Sequence, residues 1–150
     1  MSEFQFTDYH LLLNPVVSTS ANQTSDSIDM RGFGAVKFVG TIGTAEATAT
    51  ESMQVECTAT TSTDWTNITS AVAASTGGAS DGLLVVNVAN GGSGAKRFLR
   101  TVITNATTAN IEYGGVYAER YRARVLPTIA STTGDLLADD VYITNPTTAA

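Results

Sequence analysis

SIDMRGFGAVKFV, running from Ser27 to Val39, indicates a tight turn that leads into a β-strand. Residues 31–34, RGFG, supply the turn, because glycine adopts backbone conformations that other residues avoid. In the following strand, residues 35–42, the side chains alternate between two faces, one with Val36, Phe38 and Gly40, the other with Ala35, Lys37 and Val39. This pattern predicts a sheet that is covered on one side and partly covered on the other.

Strand patterns continue on the C-terminal side of this stretch. Met53, Val55 and Cys57 alternate with Gln54, Glu56 and Thr58, which is the pattern of a half-buried strand. Further strands are predicted at residues 83–88, 96–104 and 111–125. Within the last of these, the Gly114-Gly115 pair predicts a bulge or a bend.

The segments between these strands carry other signals. Asn14-Pro15 disfavours helix and predicts a turn, and the polar run Ser18–Asp26 predicts a loop. The apolar run Ala71–Ala74 predicts one helical turn. Trp65 lies next to a strand end, and we expect it to cap the core of the fold.

Together these patterns predict an all-β fold, an antiparallel and jelly-roll-like β-sandwich of about eight strands. We expect a single domain with its core at about residues 27–126, an extended N-terminal arm at 1–26 and an extended C-terminal arm at 127–150. Residues 1–13 are predicted to form an extended arm or a first strand, and residues 131–150 an arm that contains one short strand. A chain of this length buries about 68–70% of its unfolded surface, enough for a core of its own.

Charge and composition narrow the class of partner. The net charge is −6, with only 8 Lys and Arg residues against 14 Asp and Glu, whereas nucleic-acid binding needs clustered cations. No apolar run approaches the ~20 residues that span a bilayer. We therefore expect neither a nucleic-acid partner nor a membrane partner. The lone Cys57 has no second cysteine to pair with and is expected to be a small core residue.

Few side chains are suited to catalysis or metal binding, since the chain has 1 His and 1 Cys. The loop at 91–96, GGSGAK, lacks the Gly-Lys-Ser/Thr of a phosphate-binding loop, and Ser93 lacks the context of a nucleophile elbow, with His10 as its one available imidazole. Asp135, Asp139 and Asp140 lack the pattern of a calcium loop. A converging pair of carboxylates stays open, although no spacing singles one out. We predict no catalytic residue, no metal site and no cofactor.

One charged pattern is unusual. Arg120, Arg122 and Arg124 recur at period two, so an extended strand places them on one face. They form either a solvated strand face or a basic stripe that meets an acidic protein surface, where arginine makes bidentate contacts with carboxylates.

Four segments occur in an order that resembles small head proteins of tailed phages. The resemblance covers residues 27–118. Its first two parts are a Gly-preceded strand, here SIDMRGFGAVKFVGTIG, and a strand that ends before a DWT turn, here ESMQVECTATTSTDWTNI. The other two are an apolar strand, here LLVVNV, and a strand that opens with KRFLR, here KRFLRTVIT. Proteins with this pattern resemble capsid decoration, or cement, proteins, which form small β-sandwich oligomers on the outside of the icosahedral head.

The resemblance implies a non-enzymatic virion structural protein on the outer surface of a phage capsid, bridging subunits of the major capsid protein. It also implies self-association, as a homotrimer or a homodimer. On this hypothesis Phe4, Phe6 and Tyr9 anchor the N-terminal arm on a neighbouring subunit or on the capsid. Electrostatic contacts of Arg120, Arg122 and Arg124 set the register between the protein and its partner.

Two other functions remain open on the sequence alone. One is a tail or neck adaptor protein of a phage, because sequences that look related are often left unassigned among phage structural proteins. A carbohydrate-binding sandwich would expose Trp65 or tyrosine rings as stacking platforms. An enzyme would instead require converging acids or a contact between Ser93 and His10.

Overall fold

The computed structural model describes residues 8–19, 21–60, 63–75, 80–90, 95–121 and 141–144. None of these residues belongs to a helix, so none forms an apolar helix that would cross a bilayer. They form the strands β1 (Asp8–Leu13), β2 (Val16–Thr19), β3 (Gln23–Thr24), β4 (Ile28–Asp29), β5 (Ala35–Ala45), β6 (Glu51–Thr58), β7 (Thr66–Ser75), β8 (Gly82–Ala89), β9 (Phe98–Asn105), β10 (Ile111–Tyr121) and β11 (Val141–Thr144).

The strands form two sheets that pack face to face. Sheet A has the order β1-β10-β5-β8-β11, with β2 also paired to β10, and sheet B has the order β3-β9-β6-β7, with β4 also paired to β9. The paired strands are antiparallel, apart from β11, which runs parallel to β8. The prediction of an all-β, antiparallel β-sandwich is therefore confirmed.

The core lies between the two sheets and follows the alternation in the sequence. In β6, Met53, Val55 and Cys57 are buried, while Gln54 and Glu56 on the opposite face are half-buried. The largest buried apolar side chains come from both sheets and include Phe38, Leu84, Ile111, Met53, Ile68, Leu99 and Ile103. Burial of apolar surface at about 25 cal/mol per Å² is the main force that holds the sheets together.

A bulge at Gly114-Gly115 bends β10, as the sequence predicts. The register of β10 against β5 shifts between Tyr113 and Gly115, and Gly115 has a φ of 106°. The bend divides β10 between two partners, because its start pairs with β2 and its end pairs with β1. The N-terminal chain can thus turn at Asn14-Pro15 and remain on the same sheet edge.

The prediction of a helical turn at Ala71–Ala74 is wrong, because these residues continue β7. Ala71 and Ala73 are buried in the core, and the strand is bulged instead at Ser70, whose φ is 63°. Opposite the bulge, the pairing of β6 with β7 shifts between Gln54 and Glu56. A β-bulge leaves backbone groups outside the regular ladder, and these groups need another partner.

Gln54 supplies that partner with its side chain. Its Nε2 atom lies 2.9 Å from the carbonyl oxygen of Ile68 and 3.0 Å from that of Ala71, the residues on either side of the bulge. The Val55 carbonyl oxygen is also 2.9 Å away. The amide thus donates to backbone acceptors on both sides of the bulge and ties β6 to it.

We predict that Gln54→Ala lowers the free energy of unfolding by about 1–3 kcal/mol, because partly buried carbonyl groups lose their donor. Urea denaturation followed by circular dichroism measures the loss. Gln23→Ala is the matched control, since the Gln23 amide donates to the Ala21 carbonyl oxygen in an exposed setting. Equal losses in the two variants would show that Gln54 does not stabilise the bulge.

Other sequence predictions are corrected near the N-terminus and at Trp65. The polar run Ser18–Asp26 is not simply a loop, since it contains the end of β2 and all of β3. For residues 1–13, predicted as an extended arm or a first strand, the structure shows a strand at 8–13, β1, and the strands β2 and β3 that follow also pair into the two sheets. Trp65 is half-buried and lies outside the hydrophobic core cluster, so its predicted place in the core is wrong. Most of the predicted C-terminal arm lies outside the described residues, although residues 141–144 form β11.

Two ionisable side chains are enclosed within the sandwich. Glu51, at the start of β6, is 0% exposed and neither carboxylate oxygen makes a hydrogen bond of good geometry. Burial raises the pKa of Glu51, while its own amide and the Ser75 hydroxyl oppose this more weakly. Tyr113 is also buried and its hydroxyl has no partner. Its pKa is raised by burial and then by the charge of Glu51.

Candidate interaction surfaces

The outer face of sheet A carries an apolar row that crosses four strands. Leu11 of β1 is in register with Tyr117 of β10, Tyr117 with Val39 of β5, and Val39 with Val85 of β8. Leu11 is 49% exposed and Tyr117 45% exposed, whereas Val85 is buried. The exposed part of the row therefore lies near the edge of the sheet formed by β1. We call Leu11, Tyr117 and Val39 the apolar row.

Tyr9, a predicted interface residue, lies beside this row. It is 71% exposed and pairs in register with Glu119, whose Oε1 accepts a hydrogen bond of 3.3 Å from the Tyr9 hydroxyl. The charge of Glu119 raises the pKa of Tyr9 above its ordinary value. Next to Glu119 on β5 is Lys37. The surface thus combines exposed tyrosine rings, a residue type enriched at protein interfaces, with one charge of each sign.

Arg120, also a predicted interface residue, makes contacts within the molecule. Its guanidinium carbon lies 4.2 Å from the centroid of the Phe33 ring, and Nη2 lies 2.8 Å from Nε2 of His10. Its Nη1 atom donates to the main-chain oxygen of Asp29 in β4. Arg120 therefore links β1 and β10 of sheet A to β4 of sheet B, at one end of the sandwich. A role for it at an interface stays a prediction.

A cationic group of residues surrounds Asp29 at this end. Arg97 pairs with the Asp29 carboxylate through two contacts, Nε to Oδ1 at 2.9 Å and Nη2 to Oδ2 at 2.5 Å. The Arg31 amide also donates to Oδ1, at 3.0 Å. The Arg97 hydrogen bonds lower the pKa of Asp29 to about 2. Asp29 is therefore ionised at neutral pH and holds the Arg97 guanidinium in place.

Beside this ion pair is an open cleft of about 400 Å³. Its apolar floor is contributed by Met30 and Phe33, and its cationic rim by Arg31, Lys96 and Arg97. Gly32 forms the tip of the turn at the rim, where its φ of 83° and the open space around it leave the backbone accessible. We call this the basic cleft.

Several predicted site residues lie outside the described residues. These are Phe4, Phe6, Arg122 and Arg124 among the interface candidates, Ser93 of the rejected nucleophile pairing, and Asp135, Asp139 and Asp140 of the rejected calcium loop. The structure brings two of the predicted interface residues, Tyr9 and Arg120, to neighbouring strands, but on opposite faces of sheet A. They therefore belong to different surfaces.

Trp65 packs on the outer face of sheet B instead of standing free as a platform. The guanidinium carbon of Arg100 lies 4.2 Å from the centroid of its ring, and Arg100 Nε is 2.7 Å from Glu56 Oε2. One face of the indole is therefore covered by a cation that is itself held in place by a carboxylate. Among the described residues no group of three His, Cys, Asp or Glu side chains is placed to hold a metal ion.

Both surfaces described above were missed by sequence reasoning. Leu11, Tyr117 and Val39 come together only through the register of three strands, and the rim of the basic cleft joins residues from two separate turns. No protein-family model matches this chain and no curated protein matches it at a significant level, so its function has to be inferred from its own residues and surfaces.

Proposed function

We propose that this chain is a non-enzymatic virion structural protein that binds the outer surface of a phage capsid and bridges subunits of the major capsid protein. It acts as a small symmetric oligomer, a homotrimer or a homodimer. The proposal begins from the resemblance of residues 27–118 to phage head proteins. The structural observation that carries it furthest is the exposed apolar row on sheet A.

The position of the apolar row fits a docking role. Neighbouring exposed apolar side chains are candidate contacts for a partner, since large contiguous apolar patches on soluble proteins usually mark interaction sites. Three of the four large exposed apolar side chains of the described residues lie on the paired strands β1 and β10, namely Tyr9, Leu11 and Tyr117, while the fourth, Val17, lies on β2, which pairs with the start of β10. A rigid two-sheet core supports them, which keeps the surface ordered before it binds and lowers the entropic cost of association.

Multivalent binding suits the modest size of this surface. A few half-exposed side chains on one subunit provide a weak contact, but an oligomer engages several sites on a symmetric shell at once. The effective concentration of the second and third contacts then raises the overall affinity without new interactions. No single contact has to be strong.

Cryo-electron microscopy of purified virions, and of heads that lack this protein, tests the proposal. We expect β-sandwich density at symmetry or quasi-symmetry positions on the outer shell, and we expect it to be lost in the deletion. Density confined to the neck or the tail would instead support the adaptor function. Absence of the protein from virions would overturn a virion role altogether.

A binding assay tests the apolar row itself. We predict that Leu11→Ser and Tyr117→Ser each weaken binding of the purified protein to heads that lack it by about tenfold, because each removes apolar area from the contact. Co-sedimentation with such heads measures the effect. Val17→Ser is the matched control, since Val17 is 78% exposed but lies on β2, outside the row. Unchanged binding in the first two variants would exclude the apolar row from the interface.

A further inference from the structure

A second row of side chains, polar in this case, crosses the outer face of sheet A beside the apolar row. Glu119 of β10 is in register with Lys37 of β5, and Lys37 is in register with Asn87 of β8. These three side chains point away from the core, because their neighbours along the strands, Phe38 and Val86 among them, belong to the core cluster. We call Glu119, Lys37 and Asn87 the polar row.

Asn87 is buried although it points away from the core. It is 0% exposed, and neither its side-chain oxygen nor its side-chain nitrogen has a hydrogen-bond partner. Val85, on the same face of β8, is also buried, so water has little access to this part of the row. By contrast, the buried Asn105 donates to the Ala109 carbonyl oxygen at 2.6 Å and accepts from the Thr107 amide at 3.1 Å. A buried amide without partners is unfavourable and calls for an explanation of its own.

The lysine beside Asn87 is close enough to react with it. Side chains directly opposite each other on antiparallel strands have Cβ atoms about 4.5–5.5 Å apart. A lysine side chain is long enough to span this gap, so Nζ of Lys37 can reach Cγ of Asn87. The neutral amine of a lysine is a nucleophile. Because the two strands hold amine and amide side by side, the attack is intramolecular, and proximity of this kind accelerates reactions by many orders of magnitude.

Glu119 lies on the other side of Lys37 and supplies a carboxylate for proton transfer. Its Oε1 atom accepts a hydrogen bond of 3.3 Å from the Tyr9 hydroxyl, which holds the carboxylate on the outer face of the sheet. An amine that attacks an amide has to lose a proton, and the departing nitrogen has to gain one. A carboxylate next to the amine can carry out both transfers.

We propose that Lys37 and Asn87 form an intramolecular isopeptide bond. Nζ of the neutral amine attacks Cγ of Asn87, an amide bond forms between these two atoms, and the bond between Cγ and Nδ2 breaks. Glu119 accepts a proton from the attacking nitrogen and returns it to Nδ2, which leaves as ammonia. The reaction uses no oxidant, reductant or cofactor, and it clips β5 covalently to β8. It takes place once per molecule and stands or falls separately from the proposed function.

Intact mass spectrometry of the purified full chain tests this proposal. After incubation of the folded protein at about pH 9, where more of a lysine's amine is neutral, we expect a mass that is lower than the sequence mass by one ammonia. Tryptic digestion is expected to give one peptide of residues 32–96 in place of two peptides, 32–37 and 38–96, because the bonded Lys37 is no longer a cleavage site. A wild-type chain with the full sequence mass would overturn the proposal.

Two lysine variants assign the bond, since Lys37 and Lys96 are the only lysines of the chain. Lys37→Arg keeps the positive charge but cannot form the bond, and we expect it to retain the full sequence mass. Lys96→Arg is the matched control and is expected to lose ammonia as the wild type does. A succinimide at Asn90-Gly91 would lower the mass equally, but it would form in both variants. A mass deficit that persists in Lys37→Arg would therefore overturn the proposal.

Glu119→Gln tests the proton transfer. We expect this variant to form the bond at least about a hundredfold more slowly than the wild type, as measured by the mass deficit over time. Glu46→Gln makes the same change at an exposed carboxylate outside the polar row, and its rate is expected to match that of the wild type. Circular dichroism confirms that both variants are folded. Equal rates in the two variants would overturn the role assigned to Glu119.

Discussion

Replacing Gly115 with alanine is expected to lower the free energy of unfolding by about 2–4 kcal/mol. Gly115 has a φ of 106°, and a Cβ atom at this position would lie 2.6 Å from the main-chain oxygen of Leu13. Since that oxygen belongs to the backbone, it cannot rotate away, and β1 has to separate from β10. Guanidinium denaturation followed by circular dichroism measures the loss.

Gly32→Ala separates the steric effect from the conformational one. Gly32 also has a positive φ, of 83°, but a Cβ atom there would meet nothing within 4 Å. Its substitution therefore adds only the strain of the left-handed region, about 1–2 kcal/mol. If both variants lose the same stability, crowding at the Leu13 oxygen is not what excludes a side chain from position 115.

Glu51→Gln is expected to change how stability depends on pH. Because burial raises the pKa of Glu51 in the folded state, the folded protein holds this proton more tightly than the unfolded chain does. The stability linked to this proton is fully present below the ordinary glutamate pKa of about 4.3, and it is lost as the pH rises towards and through the pKa of Glu51 in the folded state. Over that interval the wild type loses up to about 1.4 kcal/mol per pH unit. The amide side chain of the variant has no proton to lose, so the variant lacks this decline.

The test is the difference between the unfolding free energies of the wild type and the variant, measured by urea denaturation from about pH 4 to pH 7. Contributions from other titrating groups cancel in this difference. Glu46→Gln is the matched control, since it makes the same change at an exposed carboxylate and is expected to leave the decline intact. Parallel curves for the wild type and Glu51→Gln would contradict a raised pKa at this site.

The sequence predicted well those parts of the fold in which the residues of a single strand are enough to indicate its structure. The alternation of Met53, Val55 and Cys57 with polar residues depends only on which face of β6 is buried. Likewise the Gly114-Gly115 pair predicted a bulge, because glycine supplies the backbone conformation that a bulge needs. Both are local properties, and local properties can be read without knowing the partner strand.

Where the prediction was wrong, a distant partner decided the structure. Gln23–Thr24 has no apolar alternation, yet it forms β3 because β9 offers it a ladder of hydrogen bonds. The alanines after Ser70 favour helix in isolation, but their burial against the core and their pairing with β6 override that preference. The candidate surfaces follow the same logic, since register and topology bring Leu11 beside Tyr117 and Arg31 beside Arg97.

The pairing of β1 with β10 sets the order in which the molecule can be completed. Tyr9 and its partner Glu119 are 110 residues apart in the chain. At translation rates of about 5–20 residues per second, β1 leaves the ribosome some 5–20 seconds before its partner strand exists. During that time its exposed edge is free to pair with β10 of another chain. The first strand is therefore the element most prone to exchange between nascent subunits, and at high concentration such exchange yields intertwined oligomers rather than separate monomers.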